Sequence, residues 1–181
     1  MGSIKTYTGK YFDPMEPKME SIDIRDIAHA LSLTCRGNGH VKQFFSVGQH
    51  CVNCAVEAEA RGYSKRVILG CLLHDASEAY MSDVPRPFKE VLPEYKKAEE
   101  KLIDFIYTKY LGSTLTAEEK QLVSLIDDEE LYYDMLELFG VQMEMQAPVL
   151  QVALDYGVVP FEDVEMQYLG LFKKYMNCVA D

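Results

Sequence analysis

The chain has 181 residues, enough for one domain with its own hydrophobic core. Its formal net charge of -11 argues against duplex nucleic acid as a partner, because an acidic surface gains nothing from counterion release at a polyanion. A small anionic ligand stays compatible with this charge if a metal ion or local basic groups offset the field. Because no apolar run approaches membrane-spanning length and the first residues lack a signal-peptide pattern, we expect a cytoplasmic protein with no membrane partner.

Residues 4–12 alternate polar and β-favouring side chains around Thr8-Gly9, which predicts a short hairpin or extended arm within residues 1–20. Apolar side chains then recur at helical spacing from Ile24 to Cys35, and Gly37-Asn-Gly39 predicts the end of that helix. No repeat or linker divides the chain. We therefore expect an all-α helical bundle behind the arm, as a single domain over residues 1–181.

Helix-start and helix-stop residues divide the remaining chain into further helices. One of them is predicted to include His74 and Asp75, because an apolar run leads directly into that pair. Residues 141–181 are predicted to form a C-terminal helical extension. The predicted helix bounds are 46–62, 64–81, 93–112, 116–140, 148–155 and 160–176.

The sequence Leu72-Leu-His-Asp-Ala-Ser-Glu78 places one imidazole and two carboxylates beside an apolar run. Buried carboxylates need a cation or strong hydrogen-bond donors, because burying them unpaired is costly. A divalent metal ion meets that need, although the local pattern alone fits a helix cap with a solvated Glu78 equally well. His50 and Asp127, each on the apolar side of another predicted helix, favour the metal site.

This order of His, His-Asp and Asp, with its surrounding sequence, resembles the HD-domain phosphohydrolases, and specifically the small bacterial and prophage branch of 5'-nucleotidases (YfbR-like). The resemblance covers residues 4 to about 134 and implies the HD-domain helical bundle. It rests on Ile4-Lys-Thr-Tyr-Thr-Gly-Lys10, Ile22-Asp-Ile-Arg-Asp-Ile-Ala28 with Leu31-Ser32, Arg36, Gly39-His40, Phe45-Ser-Val47 with His50, Leu72-Leu-His-Asp-Ala-Ser-Glu-Ala-Tyr80 and Asp83-Val-Pro-Arg-Pro-Phe-Lys89.

The resemblance implies one divalent metal ion, Co²⁺ or Mn²⁺ first and Zn²⁺, Ni²⁺, Fe²⁺ or Mg²⁺ as alternatives. In the last of the three ligand-bearing segments Asp127 fits the family register, and the adjacent Asp128 is the alternative. Glu78 matches the residue that handles protons or positions the attacking water. The residues that match the family's metal ligands are His50, His74, Asp75 and Asp127.

The same resemblance implies substrate contacts. Arg36 matches a phosphate-contacting arginine of the catalytic machinery, and Asp83 matches the carboxylate that reads the sugar 3'-hydroxyl. His40 and Lys89 are further candidates, although His40 could equally bond only to backbone and Lys89 could equally be a solvated loop residue. Gly37 stands where relatives carry an aromatic residue, so a contact that packs the base or sugar is expected to be missing.

These roles predict a metal-dependent phosphoric monoester hydrolase that removes the 5'-phosphate from (deoxy)nucleoside monophosphates, and relatives suggest a homodimer. Two alternatives stay open. A deoxynucleoside triphosphate triphosphohydrolase could use the same ligands to release tripolyphosphate from a triphosphate substrate. A non-catalytic metal- or nucleotide-binding regulatory module would keep the fold without the chemistry.

The five cysteines are an odd number without dense spacing, which predicts reduced thiols. Cys51 and Cys54 have the spacing of a redox or zinc half-site, but no second pair accompanies them, so buried reduced thiols are expected. The acidic run 127–130 is predicted to be a solvated helix face apart from its one ligand.

Overall fold

The computed structural model describes residues 2–177, and helices dominate it behind one short hairpin. The prediction of an all-α fold with an N-terminal hairpin is confirmed. Residues 178–181, which hold Cys178 and the end of the predicted extension, lie outside the described residues. The elements are β1 (Ile4–Lys5), β2 (Tyr11–Phe12), α1 (Ile24–Leu33), α2 (Val47–Ala60), α3 (Lys65–Leu73), α4 (Glu78–Met81), α5 (Arg86–Lys89), α6 (Pro93–Leu111), α7 (Ala117–Asp134) and α8 (Phe161–Met176).

The N-terminal hairpin is packed into the fold. Strand β1 pairs antiparallel with β2. Thr8 donates hydrogen bonds from its backbone N–H and its hydroxyl to the buried carboxylate of Asp26 on α1, at 2.6 and 2.9 Å. Phe12 is fully buried and its ring stacks on Tyr80 with centroids 3.9 Å apart. Two hydrogen bonds and a buried aromatic ring therefore fix the arm against α1 and α4.

Helix α2 lies at the centre of the bundle. The Ser46 hydroxyl caps it by accepting a hydrogen bond from the Gln49 N–H at 3.0 Å. Helices α1, α3 and α8 pack against α2, and α7 packs against α3. At Gly48 the first two helices nearly touch, because a Cβ there would lie 3.0 Å from the Ser32 backbone nitrogen. Glycine at this position is therefore required by the close approach of the helices.

The single helix predicted over residues 64–81 is wrong. Helix α3 ends at Leu73, and residues 74–77 form a tight turn before α4. In this turn the N–H groups of Ala76 and Glu78 bond to the carbonyls three residues back, both at 2.9 Å, instead of four residues back. The His-Asp pair therefore sits at the end of a buried helix, and its side chains do not follow continuous helical spacing.

The weak helix predicted over residues 148–155 is also wrong, because residues 141–160 contain no helix or strand. The buried carboxylate of Glu57 accepts hydrogen bonds from the N–H groups of Gln151 and Val152, at 2.9 to 3.1 Å. The Glu57 side chain of α2 thus accepts the hydrogen bonds that backbone carbonyl groups would accept if this segment were helical. Of the predicted C-terminal extension, α8 is the helical part within the described residues.

The ends of α1 and α7 also differ from simple helix stops. Helix α1 ends at Leu33, two residues before the predicted Cys35. Helix α7 continues into one π-helical turn, Met135–Phe139, and ends at Gly140 with φ 71°. π-Turns insert one extra residue and are frequent at functional sites. Met135 and Phe139 both line the cavity described below.

Candidate metal centre and substrate cavity

His74, the first residue after α3, is oriented by the end of its own helix. Its Nδ1 lies 2.7 Å from the Cys71 carbonyl oxygen. Because a carbonyl oxygen only accepts hydrogen bonds, Nδ1 carries a proton and donates it. Nε2 is therefore the nitrogen that can offer a lone pair to a metal ion when the ring is neutral. That Nε2 is buried without a hydrogen-bond partner, 3.2 Å from Asp75 Oδ2 and 3.6 Å from Asp127 Oδ1. It has the orientation that a metal-ligating nitrogen requires.

His50 faces the same point from the first turn of α2. Its ring is fully buried, and its Nε2 lies 3.0 Å from Asp127 Oδ1. The His50 and His74 rings have centroids 5.2 Å apart. Asp128 points away instead, since its side chain is 63% exposed and lies 3.7 Å from Arg86. Of the two candidate carboxylates on α7, Asp127 is therefore the one that faces the histidines.

The spacing of these atoms fits a single ion. Two ligands bound at about 2.1 Å to one ion lie about 3.0 Å apart at right angles and about 3.4 Å apart in a tetrahedron. Two of the separations above, 3.0 and 3.2 Å, fall in this range, and the third, 3.6 Å, lies slightly beyond it. The orphaned Nε2 of His74 is the kind of buried polar atom that a cation would satisfy. This buried cluster of histidines, carboxylates and nearby cysteines can hold a metal ion.

Two further carboxylates of α7, which were not identified from the sequence, lie beside His50 on the side of its Nδ1. Asp134 and Glu130 are buried, and their oxygens lie 3.3 and 3.7 Å from His50 Nδ1. The prediction that residues 127–130 form a solvated face is therefore wrong at Glu130. A carboxylate against the outer nitrogen of a ligating histidine fixes its ring and tautomer. The spacing of Asp127, Glu130 and Asp134, three and seven residues apart, was the available signal.

The charges of this cluster are strongly coupled. Burial and Arg36 lower the pKa of His50, but Asp134 and Asp127 outweigh them and raise it to about 9. Burial raises the pKa of Asp75, but the opposing effect of His74 is larger and lowers that pKa to about 2. Without a metal ion the centre is therefore held together by imidazolium–carboxylate pairs. A metal ion would displace the imidazole protons.

Arg36 reaches the centre from the loop between α1 and α2. Its Nε donates a hydrogen bond to Asp134 Oδ2 at 2.8 Å. Its two terminal nitrogens lie 3.5 Å from an oxygen of Asp75 and 3.7 Å from one of Asp127. The guanidinium is thus anchored at Nε, and its fork faces the carboxylates of the metal centre. An anion bound there would meet two N–H donors in the geometry that phosphate prefers.

Asp83 enters the same cavity from a strained turn after α4. Ser82, just before it, has φ 70° and ψ 157°, a conformation that glycine adopts far more readily. Asp83 Oδ2 accepts a hydrogen bond from the Gly37 backbone N–H at 3.2 Å. This bond joins the turn after α4 to the Arg36 loop. The predicted phosphate and sugar contacts therefore share one wall.

The predicted catalytic residues and all the predicted substrate contacts except His40 line a cavity of about 470 Å³, within the range of small-molecule sites. Glu78 is buried there, and burial together with Asp75 and Asp83 holds its pKa well above the usual range. Lys89 Nζ lies 3.4 Å from Glu78 Oε1 and 2.7 Å from Glu99 Oε1, so it is paired and not solvated. The lining residues are Arg36, Gly37, Asp75, Glu78, Asp83, Val84, Pro85, Arg86, Lys89, Asp127, Leu131, Asp134, Met135 and Phe139.

An aromatic side chain does contact position 37. The ring of Phe139 packs against Gly37 so closely that a Cβ there would lie 2.5 Å from it. Gly37 also has φ 60°, which disfavours other residues. The π-turn after α7 therefore places an aromatic ring at the cavity wall beside position 37.

His40 is not brought into this group. Its side chain is exposed, its backbone N–H donates a hydrogen bond to the Gly37 carbonyl at 3.1 Å, and it does not line the cavity. The alternative of a purely backbone-bonded loop histidine fits this placement better than a substrate contact.

No family model matches the chain. It is similar to the uncharacterized protein YfdR of Escherichia coli, with 42% identity over 110 residues, 61% of this chain and 59% of that protein. It is also similar to an uncharacterized protein of Rhodobacter capsulatus, with 30% identity over 127 residues, 66% of this chain and 64% of that protein. The chain thus spans about three fifths of the length of these relatives. Neither relative's description names an activity.

Proposed function

We propose that this chain is an HD-type, metal-dependent 5'-nucleotidase that removes phosphate from (deoxy)nucleoside monophosphates. The observation that carries the proposal is the convergence of the His50, His74, Asp75 and Asp127 ligand atoms beside a cavity that also holds Arg36 and Lys89. A cation-binding cluster next to an arginine fork is suited to binding and cleaving a phosphate ester.

The charge of the cavity favours one phosphate group over three. Its lining carries five carboxylates and three cationic side chains, so a divalent ion would bring the site close to neutral. A monophosphate dianion then adds a modest negative charge, which the Arg36 fork can meet. A triphosphate would add about twice that charge at neutral pH, and the cavity has no further cations for it.

Each residue of the cavity has a defined part in this proposal. A bound divalent ion would supply positive charge to the phosphate and acidify a water molecule. Arg36 binds and orients the phosphate oxygens. Glu78, whose Oε2 is buried without a hydrogen-bond partner, holds the proton that the leaving 5'-oxygen needs or takes one from the attacking water. Lys89 lies 3.4 Å from Glu78 and would stabilise its carboxylate whenever the proton has left.

The far wall of the cavity suits a nucleoside. The Gly37 N–H fixes Asp83, whose carboxylate can accept a hydrogen bond from a sugar 3'-hydroxyl. The Phe139 ring offers a flat apolar face for stacking the base. A substrate with phosphate, sugar and base therefore finds a matching group at each part of the cavity.

The test is phosphate release from dAMP, AMP and dATP with Mn²⁺ or Co²⁺ added. We expect phosphate from dAMP in preference to dATP, and loss of release in Asp127→Ala but not in the matched surface variant Asp128→Ala. Tripolyphosphate from dATP alone would show a triphosphohydrolase instead. Absence of hydrolysis with every nucleotide and ion would leave the regulatory module as the explanation.

A further inference from the structure

A cysteine lies beside the metal centre and does not line the substrate cavity. Cys54 is buried on α2, and its Sγ lies 3.5 Å from His50 Nε2. One ligand atom from each of His50, Cys54 and His74 lies within 4.8 Å of the other two. Sulfur and nitrogen bound at about 2.3 and 2.1 Å to one tetrahedral ion are about 3.6 Å apart. The Cys54 sulfur therefore has the spacing of a ligand to the same ion as His50.

We propose that Cys54 turns this centre into a trap for thiophilic cations such as Zn²⁺ or Cd²⁺. The inference rests on the metal centre of the proposed function. Such an ion would be held by Cys54, His50, His74 and Asp127, whereas an ion that prefers oxygen would use Asp75 and leave the sulfur unbound. Four protein ligands complete a tetrahedron and leave no open position for water, which is the arrangement of structural sites and not of catalytic ones.

The proton that leaves the Cys54 thiol has an acceptor within the structure, whereas the imidazole protons that the ion displaces pass to solvent. The Cys54 thiol donates a hydrogen bond to Glu130 Oε2 at 3.3 Å, and the other Glu130 oxygen is buried without a hydrogen-bond partner. When the cation binds, the S–H bond breaks, a sulfur–metal bond forms and the proton passes to the Glu130 carboxylate. Nothing is oxidised or reduced.

Cys51 provides a comparison variant. It is equally buried on the same helix, and its sulfur is grouped with His74 and Asp75, but it faces the other nitrogen of His74. Its Sγ lies 4.0 Å from His74 Nδ1, and that nitrogen donates its proton to the Cys71 carbonyl. A nitrogen engaged in this way cannot coordinate the ion. Removing the Cys51 sulfur should therefore leave binding of soft cations unchanged.

The experiment is a Cd²⁺ titration followed by sulfur-to-cadmium charge-transfer absorbance, in a Cys35→Ser, Cys178→Ser background that retains only the three buried thiols. We expect one Cd²⁺ per chain with a charge-transfer band. Cys54→Ser should lose the band and weaken Cd²⁺ binding by about 100-fold, while Cys51→Ser keeps both. Mn²⁺ affinity, measured by calorimetry, should change by less than about threefold in Cys54→Ser, because Mn²⁺ prefers oxygen and nitrogen ligands.

Cys54→Ala serves as a second variant, and the thermal unfolding of each variant shows that it is folded. A charge-transfer band that persists in folded Cys54→Ser or Cys54→Ala would overturn the proposal, as would a parent protein that binds Cd²⁺ without the band. The readout does not depend on hydrolysis. An intact band in a protein that cleaves no nucleotide would therefore contradict the proposed function and leave the cation trap standing.

Discussion

Asp134 supports both the Arg36 fork and the His50 ring, so its charge should matter even though it is not expected to touch metal or substrate. In Asp134→Asn the side chain keeps its size but loses its charge. The charge-assisted bond to Arg36 Nε at 2.8 Å, worth about 1.5–3 kcal/mol, is lost or weakened, while the amide oxygen can still accept the Tyr156 hydroxyl. Asp75 and Asp127 still compensate the guanidinium, at 3.5 and 3.7 Å. We therefore expect the free energy of unfolding to fall by about 2–3 kcal/mol, below the full cost of an uncompensated buried charge.

The assay is urea denaturation in the presence of EDTA, with Asp128→Asn as the matched control on the same helix. The exposed control should change the free energy of unfolding by less than about 0.5 kcal/mol. Mn²⁺ affinity of Asp134→Asn should fall roughly 10- to 100-fold, because His50 loses the carboxylate that fixes its ring. If Asp134→Asn unfolds within about 0.5 kcal/mol of the parent and binds Mn²⁺ equally well, the reasoning about this buried support is refuted.

Three further changes test other parts of the structure. Ser82→Gly should raise the free energy of unfolding by about 1 kcal/mol in urea denaturation, since glycine tolerates φ 70°; a loss of stability would contradict the strain. Phe139→Leu should raise KM for dAMP about tenfold and leave KM for deoxyribose 5-phosphate unchanged, since only dAMP has a base to stack; equal effects would remove the stacking role. Asp23→Asn should flatten the loss of stability between neutral and acid pH. The hydrogen bond from Arg25 lowers the pKa of Asp23, although burial opposes this. The ionised Asp23 side chain therefore stabilises the fold above the unfolded-state pKa, and this stabilisation disappears as pH falls. An unchanged pH profile for that variant would contradict the pairing.

Local signals predicted most of the helices because each end is fixed by residues close in sequence. Ser46 and Ser64 cap their helices through their own hydroxyls, and Thr116 forms the reciprocal capping box with Glu119. The errors lie where distant groups decide the backbone. Glu57 takes the N–H groups that a helix near residue 151 would use internally, and no signal within that segment reveals a partner about 94 residues away.

The residues of the candidate site likewise fall into those that the local sequence identifies and those that only the fold brings together. The order of His50, His74-Asp75 and Asp127 marked the cluster that could hold a metal ion, because metal ligands must be specific residue types. Residues that support the centre were missed because acidic or aromatic side chains on a helix are ordinary in sequence. Phe139 acquires its role only when the π-turn lays its ring on Gly37, a contact that no spacing rule predicts.

The most direct test of the account is the binding of Mn²⁺ to the purified protein, measured by calorimetry for the parent and for the adjacent pair Asp127→Ala and Asp128→Ala. Asp127 faces both histidines, whereas Asp128 lies in solvent near Arg86. The account predicts one Mn²⁺ per chain in the parent and in Asp128→Ala, with affinity reduced by about 100-fold or more in Asp127→Ala. A parent protein that binds no divalent ion, or an Asp127→Ala variant that binds as tightly as Asp128→Ala, would contradict it.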